Sequence, residues 1–259
     1  MFKRLLKLDP ASKKMGGPAG SRAYAIGDVH GRLDLLSDLL VTIERDNARR
    51  GPAKTYLVLL GDLVDRGPDS CGVIELLSGR PVAWARPIHL QGNHEEFFLD
   101  VLKGNDDSIA HWLVYGGYEC AESYGVTRGW MLNATPHEIG DRLRAAVPPR
   151  HVRFLEEMHD SFRFGDYLFV HAGIRPGVPL AEQSSKDLRW IREGFLEDRT
   201  DHGLVVVHGH TIVDQPQEKS NRIAVDTGAY RSGVLTAVGL EGEERWFLTA
   251  EAGLESAAA

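Results

Sequence analysis

Apolar and polar positions along the chain predict strands and helices in turn. The run over 23–27 reads as a strand and closes in Gly27-Asp28-Val29-His30-Gly31. Leu36, Leu39, Leu40 and Ile43 then recur at three- and four-residue spacing, the mark of one buried helical face, up to a stop at Gly51-Pro52. A continuous apolar run over 55–60 has strand length and ends in Gly61-Asp62. A short helix is predicted over 73–77, and a third strand over 87–91 that ends in Gly92-Asn93-His94. Asp62 follows Asp28 by 34 residues and Asn93 follows Asp62 by 31, which suits strand–helix–strand units of about 30 residues. In such units the strands run parallel, their carboxyl ends lie side by side, and ligands bind there.

The segment from Asn93 to Met158 reads as mostly helical. Thr135-Pro136-His137-Glu138 offers an N-cap, a first-turn proline and a capping-box acid, and Gly116-Gly117 is predicted to end the helix that holds His111 and Trp112. Strand patterns fill the last third. Runs over 161–164 and 167–170 flank the turn pair Gly165-Asp166. A run over 204–207 leads to His208-Gly209-His210-Thr211, one over 223–225 leads to Asp226-Thr227-Gly228, and 234–240 with 245–248 form a hairpin. The expected organisation is a mixed α/β (α+β) chain. It has one domain over about 22–250 with a helical insert at about 96–158, a basic tail over 1–21 and a second tail over 251–259.

Composition narrows the classes. Hydrophobic residues make up 42% and charged residues 26% of the 259 positions, which excludes disordered and fibrous chains. The 30 Lys and Arg stand against 37 Asp and Glu, a net charge of −7. That balance argues against nucleic acid as a partner, whose tight binding rests on neutralising phosphates, and leaves room for a local basic cleft. No run approaches the roughly 18 apolar residues of a membrane span. The tail with Phe2, Leu5, Leu6 and Leu8 reads as a loose solvated end, the other reading being a weak membrane-surface anchor. No stable membrane association is expected. Cys71 and Cys120 cannot build a disulfide framework and suit a reducing, cytoplasmic setting.

Chemistry gathers where the strands end. Asp28 and His30, two residues apart on an extended end, point to one side and converge as metal ligands do. Gly61-Asp62-Leu63-Val64-Asp65-Arg66-Gly67 places two carboxylates beside a guanidinium fork that suits phosphate oxygens. Asn93 adds a neutral oxygen and His94 an imidazole. His171 follows another strand, and His208 and His210 a further one. Spacing alone does not choose between His208 and His210, which share one face of an extended strand. Asp226 either supports a ligand from behind or serves the turn before Gly228. His89, His111, His137, His151, His159 and His202 match no ligand motif and read as structural or surface residues.

The ordered set GDVHG at 27–31, GDLVDRG at 61–67, GNHE at 92–95, HAG at 171–173 and GHT at 209–211 resembles the calcineurin-like metallophosphoesterases. More narrowly it is similar to the phosphoprotein phosphatase family, in the bacterial and phage branch similar to lambda phosphatase. HWLVYGG at 111–117, WIRE at 190–193 and DTGA at 226–229 also resemble that branch. The resemblance implies a central β-sandwich of mixed sheets flanked by helices, with a dinuclear metal site at strand carboxyl ends. By motif, Asp28 and His30 would bind the first metal, Asp62 would bridge, and Asn93, His171 and His210 would complete the second. The GHT motif favours His210 over His208. Such ligands suit manganese, iron or zinc, and two Mn2+ ions are expected. The implied chemistry is direct attack of metal-bridging hydroxide on phosphorus with no phosphoenzyme. His94 would protonate the leaving oxygen with Asp65 holding its ring, and Arg66 and Arg192 would grip the phosphoryl oxygens.

The expected substrate is a phosphoprotein, cleaved at phosphoserine or phosphothreonine, or a phosphorylated small molecule. Asp65 within VDRG and Glu95 after His94 favour the protein phosphatases. The alternative is hydrolysis of dinucleoside polyphosphates such as diadenosine tetraphosphate at the same site. A binding protein with a vestigial metal site would lack a ligand, and none is missing. The VDRG and GNHE forms and the acidic charge oppose a nuclease. Trp112, Tyr115, Tyr118 and Trp130 of the insert read as packing its own core, with Tyr115 the candidate to meet an adenine or a peptide instead.

Overall fold

Strand β1 (Ser21–Ile26) is buried along its whole length. Helix α1 (Leu33–Arg49) returns across the sheet with Leu35, Leu36, Leu39 and Ile43 turned inward, close to the face that the apolar spacing predicts. β2 (Lys54–Leu59) lies parallel to β1, α2 (Ser70–Gly79) crosses back, and β3 (Arg86–His89) lies parallel to β2. The computed structural model describes residues 15–79 and 82–253.

The helical segment holds α3 (Asn93–Leu102), α4 (Asp107–Trp112), α5 (Tyr118–Ser123), α6 (Arg128–Met131), α7 (Pro136–Ala146) and α8 (Pro149–Glu156). The start of α7 is built as expected: the Glu138 N–H donates to Thr135 Oγ1 at 3.3 Å, and the Thr135 N–H donates to the Glu138 carboxylate at 2.7 Å. The helix end expected at Gly116-Gly117 is there: Tyr115, at φ −94° and ψ 16°, and Gly116 leave helical dihedrals before α5 begins. A π turn, Leu113–Gly117, carries α4 into α5, and Gly116 sits at φ 107° inside it. Glycine reaches that angle without a Cβ clash, so here it ends one helix and lets the chain turn sharply into the next.

After the insert come β4 (Ser161–Phe164), β5 (Tyr167–Val170), α9 (Ser185–Trp190), β6 (Val205–His208), β7 (Gln217–Glu218), β8 (Arg222–Ala224), α10 (Ala229–Ser232), β9 (Val234–Glu241) and β10 (Glu244–Glu251). They complete two five-stranded mixed sheets, in the orders β10-β9-β1-β2-β3 and β4-β5-β6-β8-β7. β5, β6 and β8 run parallel in the second sheet, as β1, β2 and β3 do in the first.

Period-two alternation sends each strand's side chains to two cores. Ala23, Ala25, Val58 and Leu60 face Phe169, Val205, Val207 and Ile223 between the sheets. Tyr24, Ile26, Leu57 and Leu59 face the helices of the first sheet's outer side. Leu168, Val170 and Val206 meet Leu188 of α9 and Phe195 on the far side. The result is a β-sandwich flanked by helices. Its three parallel strands per sheet bring their carboxyl ends to one edge.

Of the tail expected over 1–21, residues 1–14 lie outside the described residues. Gly16 exchanges hydrogen bonds with Asp166, at 3.1 Å and 3.0 Å, and the Gly17 N–H donates to Gly242 O at 2.8 Å. Of the tail expected over 251–259, the part from 254 onward also lies outside them. Among the described residues, no helix is long and apolar enough to cross a membrane.

Candidate active site

Each predicted site residue sits at that edge. Asp28 and His30 follow β1, Asp62, Asp65 and Arg66 follow β2, and Asn93 and His94 open α3 just after β3. His171 follows β5, His210 follows β6, and Asp226 follows β8. All but Arg66 of these are at least nine-tenths buried. Arg192 lies on the loop after α9, where its Nη2 donates to His210 O at 3.2 Å.

Two groups of ligand atoms converge and share Asp62. One is His30, Asp62 and His94; the other is Asp62, His171 and His210; within each the atoms lie within 4.8 Å of one another. Asn93 Oδ1 joins the second at 3.1 Å from His171 Nε2, which is also 3.1 Å from His210 Nδ1. Backbone carbonyls fix two of the rings. His30 Nδ1 lies 2.8 Å from Val64 O and His171 Nδ1 lies 2.9 Å from Leu60 O. Each Nδ1 therefore carries a proton and each Nε2 turns toward Asp62; at His171, burial opposes a charge but Asp62 outweighs it and raises the pKa. His30 Nε2 is 3.7 Å from Asp62 Oδ2. Burial, then His94, keeps the His30 imidazole well below its usual range and hence neutral. A lone pair facing a buried carboxylate calls for a cation between them. The buried His210 Nε2 also has no hydrogen-bond partner. The residues present thus fit divalent metals that accept mixed oxygen and nitrogen donors.

Asp28 is not among the ligand atoms that lie within 4.8 Å of one another around His30, though it is close enough to interact with Asp62. Its carboxylate accepts the His210 N–H, at 3.1 Å to either oxygen, and lies close to Asp226. Burial, then Asp226 and Asp62, pushes its carboxyl well above the usual range. Asp226 meets both readings offered for it: it supports Asp28 and it accepts the Gly228 N–H at 2.8 Å in the turn. Gly209 makes this approach possible, since a Cβ there would fall 2.0 Å from Asp28 Oδ1. His208 points elsewhere, with its ring 5.1 Å from that of Phe195. Burial lowers its pKa to about 4.

His94, a member of the first group, is also paired with a second buried carboxylate. His94 Nδ1 is 2.6 Å from Asp65 Oδ2, and Arg66 Nη2 is 3.0 Å from His94 Nε2. Burial opposes a charge on His94, but Asp62 and Asp65 outweigh it and raise its pKa. Arg66 stacks 4.9 Å from the Tyr230 ring, and its N–H donates to Gly116 O at 3.0 Å. Arg66, Asn93, His94, Arg192 and His210 line a cleft of about 300 Å³. Its remaining wall is aromatic: Trp190, Phe97, His111 and Tyr115 follow one another with ring centres 5.1, 5.4 and 5.0 Å apart.

Several supporting residues carry little signal of their role in the sequence. Glu95 was visible only as a motif letter. Its buried carboxylate accepts the N–H groups of Asp62, Leu63, Val64 and Gly92 at 2.8, 2.6, 3.2 and 2.8 Å. Its place three residues into a helix, after a glycine N-cap, is the available signal. Ser70 Oγ accepts the Asp65 N–H at 2.9 Å. Tyr230 lies edge-on to His30 at 5.3 Å with no sequence signal. Trp112 packs in the insert as expected, and its indole N–H also reaches Asp65, at 3.0 and 3.1 Å.

A buried Asp/His/Asn cluster at the strand ends of a two-sheet sandwich, with arginines at its mouth, defines a metal-dependent phosphoesterase. The family description "calcineurin-like phosphoesterase" matches residues 21–233, and the chain belongs to that family. Serine/threonine-protein phosphatase 1 of Salmonella typhimurium is 27% identical, over 82% of this chain and 89% of that protein. The symmetrical bis(5'-nucleosyl)-tetraphosphatase of Legionella pneumophila is 34% identical, over 86% of this chain and 95% of that protein. A crystal structure provisionally assigned as a diadenosine tetraphosphatase superposes with a TM-score of 0.61 at 22% identity, covering 90% of this chain and 95% of that one. At that identity it speaks for the fold.

Proposed function

We propose that the chain is a metal-dependent phosphoserine/phosphothreonine protein phosphatase that cleaves phosphomonoesters by direct attack of water on phosphorus. The observation that carries this reading is the buried His94–Asp65 pair, held at 2.6 Å beside Arg66 at the mouth of the ligand cluster. Asp28, His30, Asp62, Asn93, His171 and His210 would hold two divalent cations, which we take to be manganese, with iron and zinc also compatible with the donors. When bound, these supply charge for the phosphoryl oxygens and acidify a water. Their charge would also relieve the crowding of carboxylates that pushes Asp28 up.

The protein's own groups do the rest. Arg66 and Arg192 grip the non-bridging oxygens and align the phosphoryl group for in-line displacement. Once Arg66 turns from His94 Nε2 to the phosphoryl oxygens, that nitrogen holds a proton and gives it to the leaving oxygen, and Asp65 keeps the ring oriented. The partner is then a phosphoprotein or a phosphorylated small molecule. The free thiols Cys71 and Cys120 fit a cytoplasmic setting.

A second reading, hydrolysis of dinucleoside polyphosphates, draws support from the aromatic wall of the cleft, which offers rings for a base to stack on. One competition separates the two. Manganese-loaded protein receives a phosphothreonine peptide and diadenosine tetraphosphate together, followed by phosphorus NMR, with Asp62→Asn as the control. Peptide phosphate is expected to fall first. Prior loss of the nucleotide would replace the first reading by the second.

A further inference from the structure

Trp112 serves none of the steps above, yet its position is specific. It is fully buried and stacks on Phe98 at 5.4 Å and 13°. Its indole N–H points at the Asp65 carboxylate, 3.0 Å from one oxygen and 3.1 Å from the other. Phenylalanine would leave part of the indole's volume empty, and beyond that volume what tryptophan adds is this one donor.

We propose that Trp112 is a positioning residue for the leaving-group acid, acting through Asp65 on His94. This rests on the reading of His94 as that acid. Asp65 is wholly buried, so no bulk water is at hand to fix the orientation of its carboxylate. A neutral indole N–H can do so without competing for the proton that His94 holds, because it neither accepts a proton nor carries charge. The backbone needs such a hold, since Asp65 and Arg66 sit at φ 72° and 67°, where side chains are seldom found. The same stretch of the insert supplies the Gly116 carbonyl that accepts the Arg66 N–H. It thereby fixes the acid and the phosphate-gripping arginine together. Gly117 lets the chain close over the indole, since a Cβ there would lie 2.4 Å from the ring. In the step served, a water oxygen bonds to phosphorus, keeping one proton and releasing the other to solvent, and the bond from phosphorus to the leaving oxygen breaks. That oxygen keeps the electron pair and takes the proton from His94 Nε2.

The test exploits leaving-group strength. A dinitrophenolate departs without a proton, whereas the alkoxide of threonine needs one. In manganese-loaded full-length protein, Trp112→Phe is expected to lower kcat on a phosphothreonine peptide about 10- to 100-fold. The change on 2,4-dinitrophenyl phosphate should stay within about 3-fold, where acid catalysis contributes little, with KM and metal content unchanged. His94→Asn should show the same bias more strongly. A second readout needs no turnover. The nitrogen-15 indole N–H signal that disappears in Trp112→Phe should shift upfield in Asp65→Asn, where the carboxylate acceptor is gone.

Equal losses on both substrates in Trp112→Phe, with the bias intact in His94→Asn, would overturn the proposal and leave His94 as the acid. An indole signal indifferent to Asp65→Asn would also overturn it. Absence of bias in His94→Asn would remove the acid reading, and this proposal with it. Should Trp112→Phe fail to fold, benzothienylalanine at position 112 replaces the N–H by sulfur in the same shape, and the same kinetic comparison decides.

Discussion

His30, Asp62, Asp65, Arg66 and His210 are the non-glycine residues with positive φ among the described residues, and all belong to the candidate site. Each such angle costs on the order of 1 kcal/mol or more, so other contacts must hold it. For the loop after β2 that contact is Glu95, whose two oxygens take four backbone N–H groups. Glutamine at this position keeps one acceptor oxygen and turns an amide N–H toward the donors. Glu95→Gln is therefore expected to lower stability by about 2–4 kcal/mol, read by urea unfolding, and to reduce bound metal because Asp62 is released. An unchanged unfolding midpoint would show that the loop holds itself. The strain that marks these residues was not legible in the sequence, because φ depends on contacts with residues about 30 positions away. Their chemical types were legible, because the proposed roles of ligand, acid and phosphate grip each demand a particular side chain.

Elements were legible where periodicity runs long enough. α1 shows its buried face over several turns, and β1, β2 and β5 read as apolar runs. β7 has two residues, too few to carry a period. Gly116-Gly117 marked where the helical run of α4 ends, but the close approach of that turn to Arg66 was not legible, because tertiary packing sets it. At this scale β3 carries a pH prediction. His89 ends the strand, accepts the His159 N–H on its carbonyl at 2.9 Å and lays its ring 4.8 Å from Phe154 of α8. Burial, and then His159, lowers its pKa to about 4. The unfolded chain, with an ordinary histidine near 6.5, binds more protons between these values. Stability from this group is complete above about 6.5 and drains away as pH falls toward 4. In urea unfolding at pH 7.5 and 4.5, His89→Leu should lose less stability on acidification than the parent chain, by about 1–3 kcal/mol. Equal losses in the two proteins would exclude His89 as a source.

At the scale of the whole molecule, the site exists only because two sheets meet. β1, β2 and β3 bring Asp28, His30, Asp62, Asn93 and His94, while β5, β6 and β8 bring His171, His210 and Asp226. Cations bound between them would tie the sheets together at that edge. Calorimetry should then show a melting temperature that rises with manganese. At 100 times the dissociation constant the gain is about 2.7 kcal/mol, or about 5–10 °C for a chain of this size. EDTA should abolish it, and Asp62→Asn should be insensitive to both. A melting temperature indifferent to metal in the parent chain would count against a site that spans the sheets.

The sequence by itself determined which residues stand at the strand ends and what chemistry they carry, because strand, helix and motif are set by near neighbours along the chain. Tertiary structure alone decided which of them converge. His208 and His210 share a face in an extended strand, yet His210 leaves the strand at φ 63° and joins Asp62 and His171, while His208 stays with Phe195. Trp112 reaches Asp65 across 47 positions of sequence. Such contacts follow from how layers close over one another, and no local pattern encodes that.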